Sequence, residues 1–228
     1  MPKLRLLAAS MGIKRSLTIA AVLVLGAGWA LAQEAPTPSP ANSKAATAKE
    51  WSFSFTADGY VVPEGRNYIN PNFTADRGWL HLEARYNYED QETGSLWVGY
   101  NFSAGQKVVL EATPMIGSVL GKTTGVAPGY EVSLSYAKFE LSTQGEYVFD
   151  TRESSGSFFY TWSELTYSPT DWFRTGVVAQ KTKAYHTSLN IQRGLLVGFS
   201  HKKWEFTTYI FNAGWTDPTL VFEVGVNF

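Results

Sequence analysis

The residues of this chain that could do chemistry are mainly glutamates, and they recur on one parity. Each lies in a stretch where polar or small residues alternate with apolar ones; they are Glu83, Glu111, Glu131, Glu140, Glu146, Glu164, Glu205 and Glu223. The basic residues on the same parity are Arg85 and Arg174, with Lys107 and Lys138 near one rim. Eight carboxylates cannot all pair with four cations. The shared face is therefore acidic, and it favours cations over anions.

An enzyme site is not predicted from these residues. A nucleophile needs a base within reach, and the three histidines, His81, His186 and His201, are far apart in the sequence with no G-x-S-x-G motif near them. Pairs of carboxylates could imitate a glycosidase site, but eight scattered glutamates form such pairs by chance. There is no cysteine and no histidine cluster, so we predict no catalytic residue, no metal site and no cofactor.

Alternation with a period of two begins at Trp51 and continues to the C-terminus. Successive side chains of a strand point to opposite faces, so the pattern predicts strands with one apolar and one polar face. Twelve such strands are present if the segment around Pro71 counts, and eleven if it does not. Ten remain if two weak segments are loops. An even number is expected when both chain ends lie on the same side of a membrane, and we predict twelve.

The connections between the predicted strands alternate in length. Short turns are predicted at 75–78, 103–106, 137–138, 168–171 and 200–203. Most of the other connections are longer, and they are predicted at 121–129, 151–156, 184–188 and 212–218. Short turns on one side and long loops on the other are typical of transmembrane β-barrels.

The last ten residues read TLVFEVGVNF, and their apolar positions share one parity. This strand resembles the last strand of bacterial outer-membrane β-barrels, which typically ends in Phe after alternating apolar positions. The resemblance implies an assembly signal read by the barrel-assembly machinery, carried here by Phe222, Val224, Val226 and Phe228.

The N-terminal residues predict export. Four basic residues precede an apolar stretch and an Ala30-Leu31-Ala32 cleavage site, so residues 1–32 are predicted to be a cleavable signal peptide, starting at Met1 or Met11. Residues 33–49, rich in Pro, Ala, Ser and Thr, are predicted to be a flexible periplasmic linker. The signal holds four of the 19 basic residues and none of the 20 acidic ones, which leaves 15 basic residues and a net charge of −5. That balance excludes a nucleic-acid binder.

Residues 50–228 are therefore predicted to form one domain, an all-β, closed antiparallel transmembrane β-barrel in the outer membrane of a Gram-negative-type bacterium. A soluble β-sandwich or lipocalin-like barrel, with the apolar face as its core, is the alternative. The residues predicted to line the interior are Glu83, Arg85, Glu111, Glu140, Gln144, Glu146, Glu164, Arg174, Gln180, Glu205 and Glu223.

Two functions are compatible with such an interior. The first is a narrow porin-like channel for small cationic or neutral solutes, with lipid and lipopolysaccharide as surroundings. The second is a barrel that does not transport, because Arg–Glu networks and aromatic side chains plug it. Such a barrel would be a structural or surface protein, or a lipid hydrolase or acyltransferase with a Ser or Thr beside His186 at the outer leaflet. Twelve strands lie between the filled eight-stranded barrels and the open large porins, so width does not decide.

Overall fold

The computed structural model describes residues 50–62, 66–184, 190–214 and 218–228. The predicted signal peptide and linker lie outside the described residues. No helix in the described part is long and apolar enough to cross a membrane. The described chain forms a short 3-10 turn at Ser154–Gly156 and thirteen strand segments: β1 Ser52–Val61, β2 Tyr68–Arg77, β3 Leu80–Tyr86, β4 Thr93–Tyr100, β5 Phe102–Gly105, β6 Val108–Gly121, β7 Gly125–Tyr136, β8 Phe139–Asp150, β9 Phe158–Thr170, β10 Phe173–Ala184, β11 Asn190–His201, β12 Trp204–Phe211 and β13 Thr219–Asn227.

The sheet closes on itself through its first and last strands. Each strand pairs antiparallel with its neighbours, and β1 pairs with β13 so that Phe55 lies opposite Val226. The ladder continues to the last residue, where the backbone N–H and C=O of Phe228 bond the C=O and N–H of Phe53 at 2.9 and 2.8 Å. Closure leaves no sheet edge, which is what lipid demands of a spanning sheet.

The segments β4 and β5 are two parts of one barrel strand. Both pair with β6, and Gly99 opposite Met115 and Phe102 opposite Ala112 keep the same register. Between them, the Asn101 N–H donates to the Trp79 carbonyl at 2.7 Å. Within the described residues the barrel therefore has twelve strands, and the predicted fold is confirmed.

The two ends of the barrel differ in their connections. At the end that also holds Trp51 and Phe228, hereafter the turn end, the strands are joined by two-residue turns at 78–79, 106–107, 137–138, 171–172 and 202–203. At the opposite loop end the connections are 62–67, 87–92, 122–124, 151–157, 185–189 and 212–218. The predicted asymmetry of turns and loops is confirmed.

Alternation divides the side chains between the two faces of the wall. On β13, Phe222 is 47% exposed and Val224 is 38% exposed, whereas Val221 and Glu223 are buried. The same alternation of outward apolar and inward residues recurs on the other strands. The apolar face points outward and the mixed face points inward, which is the arrangement of a barrel in lipid and the reverse of a soluble sandwich.

Two prolines lie inside strands, although the sequence placed one in a doubtful strand and the other in a loop. Pro71, the reason for doubting a strand, lies within β2 opposite Ala57. The predicted loop at 121–129 is wrong, because β7 already begins at Gly125 and only 122–124 connect it to β6. Pro128 stays in register with Ile116 of β6, while the pairing with β8 skips Ala127 and Pro128. A proline without an N–H is tolerated where a ladder can omit one bond.

Candidate functional site: the barrel interior

A cavity with both polar and apolar lining residues opens into the interior at the turn end. It has a volume of about 1200 Å³ and is open to solvent. Among the described residues, its charged lining consists of the carboxylates Glu50, Asp76, Glu111 and Glu131 and the guanidinium of Arg77. The cavity is therefore acidic, as expected from the glutamates that share the inward parity.

A buried cluster around Arg85, hereafter the Arg85 cluster, lies deeper in the barrel. The Arg85 guanidinium donates to Glu83 Oε2 at 2.6 Å and to Glu146 Oε2 at 2.9 Å, and lies 4.0 Å from Glu89 Oε1. It is packed between the rings of Tyr88 and Trp97, 4.5 and 4.4 Å from their centroids. Hydrogen bonds and aromatic faces together compensate for removing the cation from water. Three carboxyl groups surround one guanidinium.

The bond between Arg85 and Glu146 crosses the barrel. Arg85 lies on β3 and Glu146 on β8, and β4, β6 and β7 separate these strands in the sheet. From the 87–92 connection, Tyr88 and Glu89 reach into the interior, where both are buried. The Tyr88 ring contacts Tyr160 of β9 edge-on at 5.8 Å. These contacts narrow the interior at this level.

Glu89 lies outside the strands but is enclosed within the barrel. Removal from water raises the pKa of its carboxyl above the ordinary value, although the Arg85 guanidinium and the Ser95 hydroxyl act in the opposite direction. The Ser95 hydroxyl donates to Glu89 Oε1 and accepts from the Trp97 indole N–H at 2.9 Å. The carboxyl therefore keeps its proton to a higher pH than an exposed glutamate would.

Trp97 lies flat against the wall because two glycines face it. A Cβ on Gly117 of β6 would come within 2.4 Å of the Trp97 ring, and a Cβ on Gly129 of β7 within 2.9 Å. Any larger residue would push the indole toward the centre of the barrel. Glycine at these positions sets the place of the ring against which Arg85 packs.

A second buried arginine, Arg174, bonds side chains of several strands on the other side of the barrel. Arg174 of β10 donates to Glu164 at 2.9 Å and to the Thr207 hydroxyl at 2.7 Å, and lies 3.7 Å from Glu223. Its side chain crosses Gly198 of β11, where a Cβ would be 2.6 Å from Nε. This group ties β9 through β13 together.

Toward the loop end the interior is packed with apolar and aromatic side chains. Trp162 contacts Tyr209 and Phe211 edge-on at 5.2 and 5.1 Å, and all three have no exposed surface, as is also true of Val119 and Val221. A side chain without exposed surface cannot border a water-filled path. The interior thus has a wet half at the turn end and a packed half at the loop end.

The predicted interior residues all lie on the inward parity. Eight of them are buried, namely Glu83, Arg85, Gln144, Glu146, Glu164, Arg174, Gln180 and Glu223, and three are partly exposed, namely Glu111, Glu140 and Glu205. The Gln180 amide donates to Gln192 Oε1. The structure brings Glu83, Arg85 and Glu146 into one group and Glu164, Arg174 and Glu223 into another.

Some interior groups were missed by the sequence reasoning. Asp76 was assigned to a turn, but β2 extends to Arg77, and Asp76 lies opposite His81. His81 contacts Asp76 Oδ1 at 2.9 Å and Glu83 Oε2 at 3.5 Å. The hairpin register would have revealed this pair if the turn had been placed at 78–79. Of the other histidines, His201 is exposed at the turn end and His186 lies outside the described residues.

Comparison with known proteins gives structural relatives alone. No protein-family model matches the chain. No curated protein sequence matches it. Among solved structures, a KdgM porin matches with a TM-score of 0.53 and 11% identity, over 77% of this chain and 98% of that one. The chain has the fold of a bacterial outer-membrane β-barrel. The Acinetobacter baumannii outer membrane protein Omp33 matches with a TM-score of 0.47 and 10% identity, over 80% and 100% of the two chains.

Proposed function

We propose that this β-barrel is an outer-membrane channel of porin type that passes small cationic or neutral solutes. The observation that carries the proposal is the open acidic cavity inside a closed barrel with an apolar outer face. The turn end faces the periplasm, since short turns and both strand termini lie there in such barrels. The outward apolar side chains contact lipid, and the loop end contacts lipopolysaccharide.

Electrostatics supports passage of cations. The cavity lining has four carboxylates against the single guanidinium of Arg77 among the described residues. Walls of low dielectric constant strengthen the field of such groups, and this raises the local concentration of cations and lowers that of anions.

The Arg85 cluster makes the path for solutes through the barrel narrow. Solutes that enter the cavity meet the Arg85–Glu146 bond and the inserted Tyr88 and Glu89. Passage to the loop end requires the 87–92 connection and the packed aromatic side chains to move apart, so we propose a low conductance with discrete closures. Motions of loops occur on the nanosecond to microsecond scale and are compatible with such gating.

Targeting and assembly complete the proposal. Residues 1–32 direct export and are cleaved, and residues 33–49 form a periplasmic linker. Phe222, Val224, Val226 and Phe228 are the signal for the barrel-assembly machinery. Three of these side chains are among the exposed outward ones, Phe222, Val224 and Phe228, so a partner can contact them before the barrel closes.

The solute is expected to differ from the ligand found with one structural relative. A solved KdgM porin is described in complex with disordered oligogalacturonate, an oligomer of sugar acids. A polyanion of this kind would be repelled by the carboxylates of the present cavity. We therefore propose that oligogalacturonate is not a preferred solute of this chain.

Liposome swelling tests the proposal. We expect a small neutral sugar and an organic ammonium salt to enter liposomes containing the barrel faster than a sugar acid of similar size. Glu111→Gln in the cavity lowers the preference for the ammonium salt, whereas Glu153→Gln, at an exposed loop residue, leaves it unchanged. Swelling no faster than in protein-free liposomes would contradict the channel.

A non-transporting surface barrel is the second candidate, and the packed half at the loop end favours it. Side chains such as Trp162 and Phe211, with no exposed surface, would then hold the barrel rigid and closed. In that case the swelling assay shows no uptake of any solute, whichever residue of the cavity is changed. A lipid-modifying enzyme would instead release fatty acid from outer-membrane lipid, and substitution of His186 would abolish the release.

A further inference from the structure

We propose that His81, Glu83 and Glu131 bind a divalent transition-metal ion such as Zn²⁺ at the inner end of the cavity, whether or not the barrel conducts. His81 and Glu83 lie on β3, and Glu131 lies on β7. One ligand atom from each lies within 4.8 Å of the other two. One imidazole and two carboxylates are a donor set that suits first-row divalent ions better than Ca²⁺ or Mg²⁺, which take oxygen ligands.

The spacing of the His81 and Glu83 donor atoms fits a shared ion. His81 Nε2 and Glu83 Oε2 are 3.5 Å apart, which is long for a hydrogen bond. Two ligands of a tetrahedral ion, each bonded at about 2.0–2.2 Å, are separated by about this distance. The third carboxylate, that of Glu131, completes a set of three protein ligands and leaves a fourth position for water.

His81 is already oriented for such a role. Its Nδ1 lies 2.9 Å from Asp76 Oδ1, and that oxygen also accepts from Asn101 Nδ2 at 2.7 Å. A carboxylate can only accept, so Nδ1–H donates to Asp76, and in the neutral ring Nε2 presents its lone pair toward Glu83. A carboxylate behind a metal-bound histidine is the usual outer-shell arrangement, because it fixes the ring and makes Nε2 more basic.

Glu83 is held by groups that leave it free to bind an ion. Asn72 Nδ2 donates to Oε1 at 2.6 Å, and Arg85 Nη2 donates to Oε2 at 2.6 Å. An ionised carboxylate has about four acceptor positions, so a metal ion can share Oε2 with the guanidinium. Beside it, the carbonyl oxygen of the Asn72 amide is buried and has no hydrogen-bond partner among the described residues, which offers one more oxygen donor.

Access and charge complete the case. Asp76 and Glu131 line the open cavity, whereas His81 has no exposed surface, so an ion arrives from the cavity and loses its water as it meets His81. Asp76, Glu83 and Glu131 place three carboxyl groups around the site, and a divalent cation is attracted to such a group.

Calorimetric titration of the detergent-purified chain with ZnCl₂ tests the site. We expect one Zn²⁺ to bind per chain, and we expect little heat when CaCl₂ is added instead. In Glu131→Gln the affinity for Zn²⁺ should be at least about 10-fold weaker than in the native chain. The matched control is Glu111→Gln, which removes the same charge from the same cavity and should keep affinity within about 3-fold. Absence of saturable Zn²⁺ binding, or equal weakening in both variants, would overturn the proposal.

X-ray absorption at the zinc edge provides a second measurement, and on the native chain alone it reports which ligand types surround the ion. Imidazole gives outer-shell scattering that carboxylates do not, and we expect the signal of a single imidazole that disappears in His81→Gln. Zinc surrounded by oxygen alone, or imidazole scattering that survives His81→Gln, would show that the ion binds elsewhere.

Discussion

At the scale of single residues, Arg85 determines how charge is held inside this barrel. It is buried and bonded to Glu83 and Glu146 on strands that are not neighbours. Alternation placed these residues on the inward face, because lipid forces apolar side chains outward. It could not show that Arg85 reaches Glu146, since that contact depends on the diameter of the barrel and on the insertion of Tyr88 and Trp97 beside the guanidinium.

Removal of the Arg85 guanidinium should destabilise the barrel strongly. In Arg85→Ala the buried carboxylates lose their cation, and leaving buried charge unpaired costs about 3–5 kcal/mol. Urea unfolding of the barrel in lipid vesicles measures this loss.

The control is an exposed ion pair. Lys122 lies 3.2 Å from Asp90, with side chains 61% and 26% exposed, and Lys122→Ala should cost less than about 1 kcal/mol because water screens the pair. Similar losses in both variants would show that Arg85 is not paired as described.

At the scale of elements, the period-two pattern predicted the strands and their faces. A strand in the barrel wall must place every second side chain in lipid and the others in the interior. It failed near Gly125 and Pro128, where turn-forming residues lie within β7. The role of Gly117 and Gly129 could not be predicted either. A glycine opposite a tryptophan on another strand is recognised only when the register is known.

A methyl group at Gly117 should disturb the Trp97 packing. Gly117→Ala places a carbon 2.4 Å from the indole, whereas Gly94→Ala on β4 meets its nearest atom at an ordinary 3.6 Å. Overpacking of this kind costs about 1–3 kcal/mol, so we expect that loss in the free energy of unfolding for Gly117→Ala and a much smaller change for Gly94→Ala.

A double-mutant cycle identifies the cause. Trp97→Leu in the Gly117→Ala background should recover most of the Gly117→Ala loss, because the clashing ring is gone. Additive losses would mean that the two sites do not contact.

The terminal strand should control assembly more than an internal strand does. Phe228→Ala removes the final aromatic of the predicted assembly signal, while Phe199→Ala removes an outward phenylalanine of similar exposure from β11. We expect less heat-modifiable barrel in outer membranes for Phe228→Ala than for Phe199→Ala, measured by gel mobility. Equal yields would show that residue 228 acts through lipid contact alone.

At the scale of the whole molecule, the barrel joins an apolar exterior to an interior with a wet, acidic half and a packed half. Composition and alternation predicted the acidic face and the closed barrel. The division into halves follows from side-chain volumes that meet across the interior, such as those of Trp162, Tyr209 and Phe211, and the sequence does not reveal which strands face one another.

The reversal potential of the barrel in a planar bilayer, measured across a salt gradient, tests the central claim most directly. If an acidic interior conducts, the reversal potential should have the sign that indicates a higher permeability for cations than for anions. Its magnitude should decrease at high salt, because salt screens the carboxylates. A reversal potential of the opposite sign, or no current above that of the bare bilayer, would contradict a cation-preferring channel.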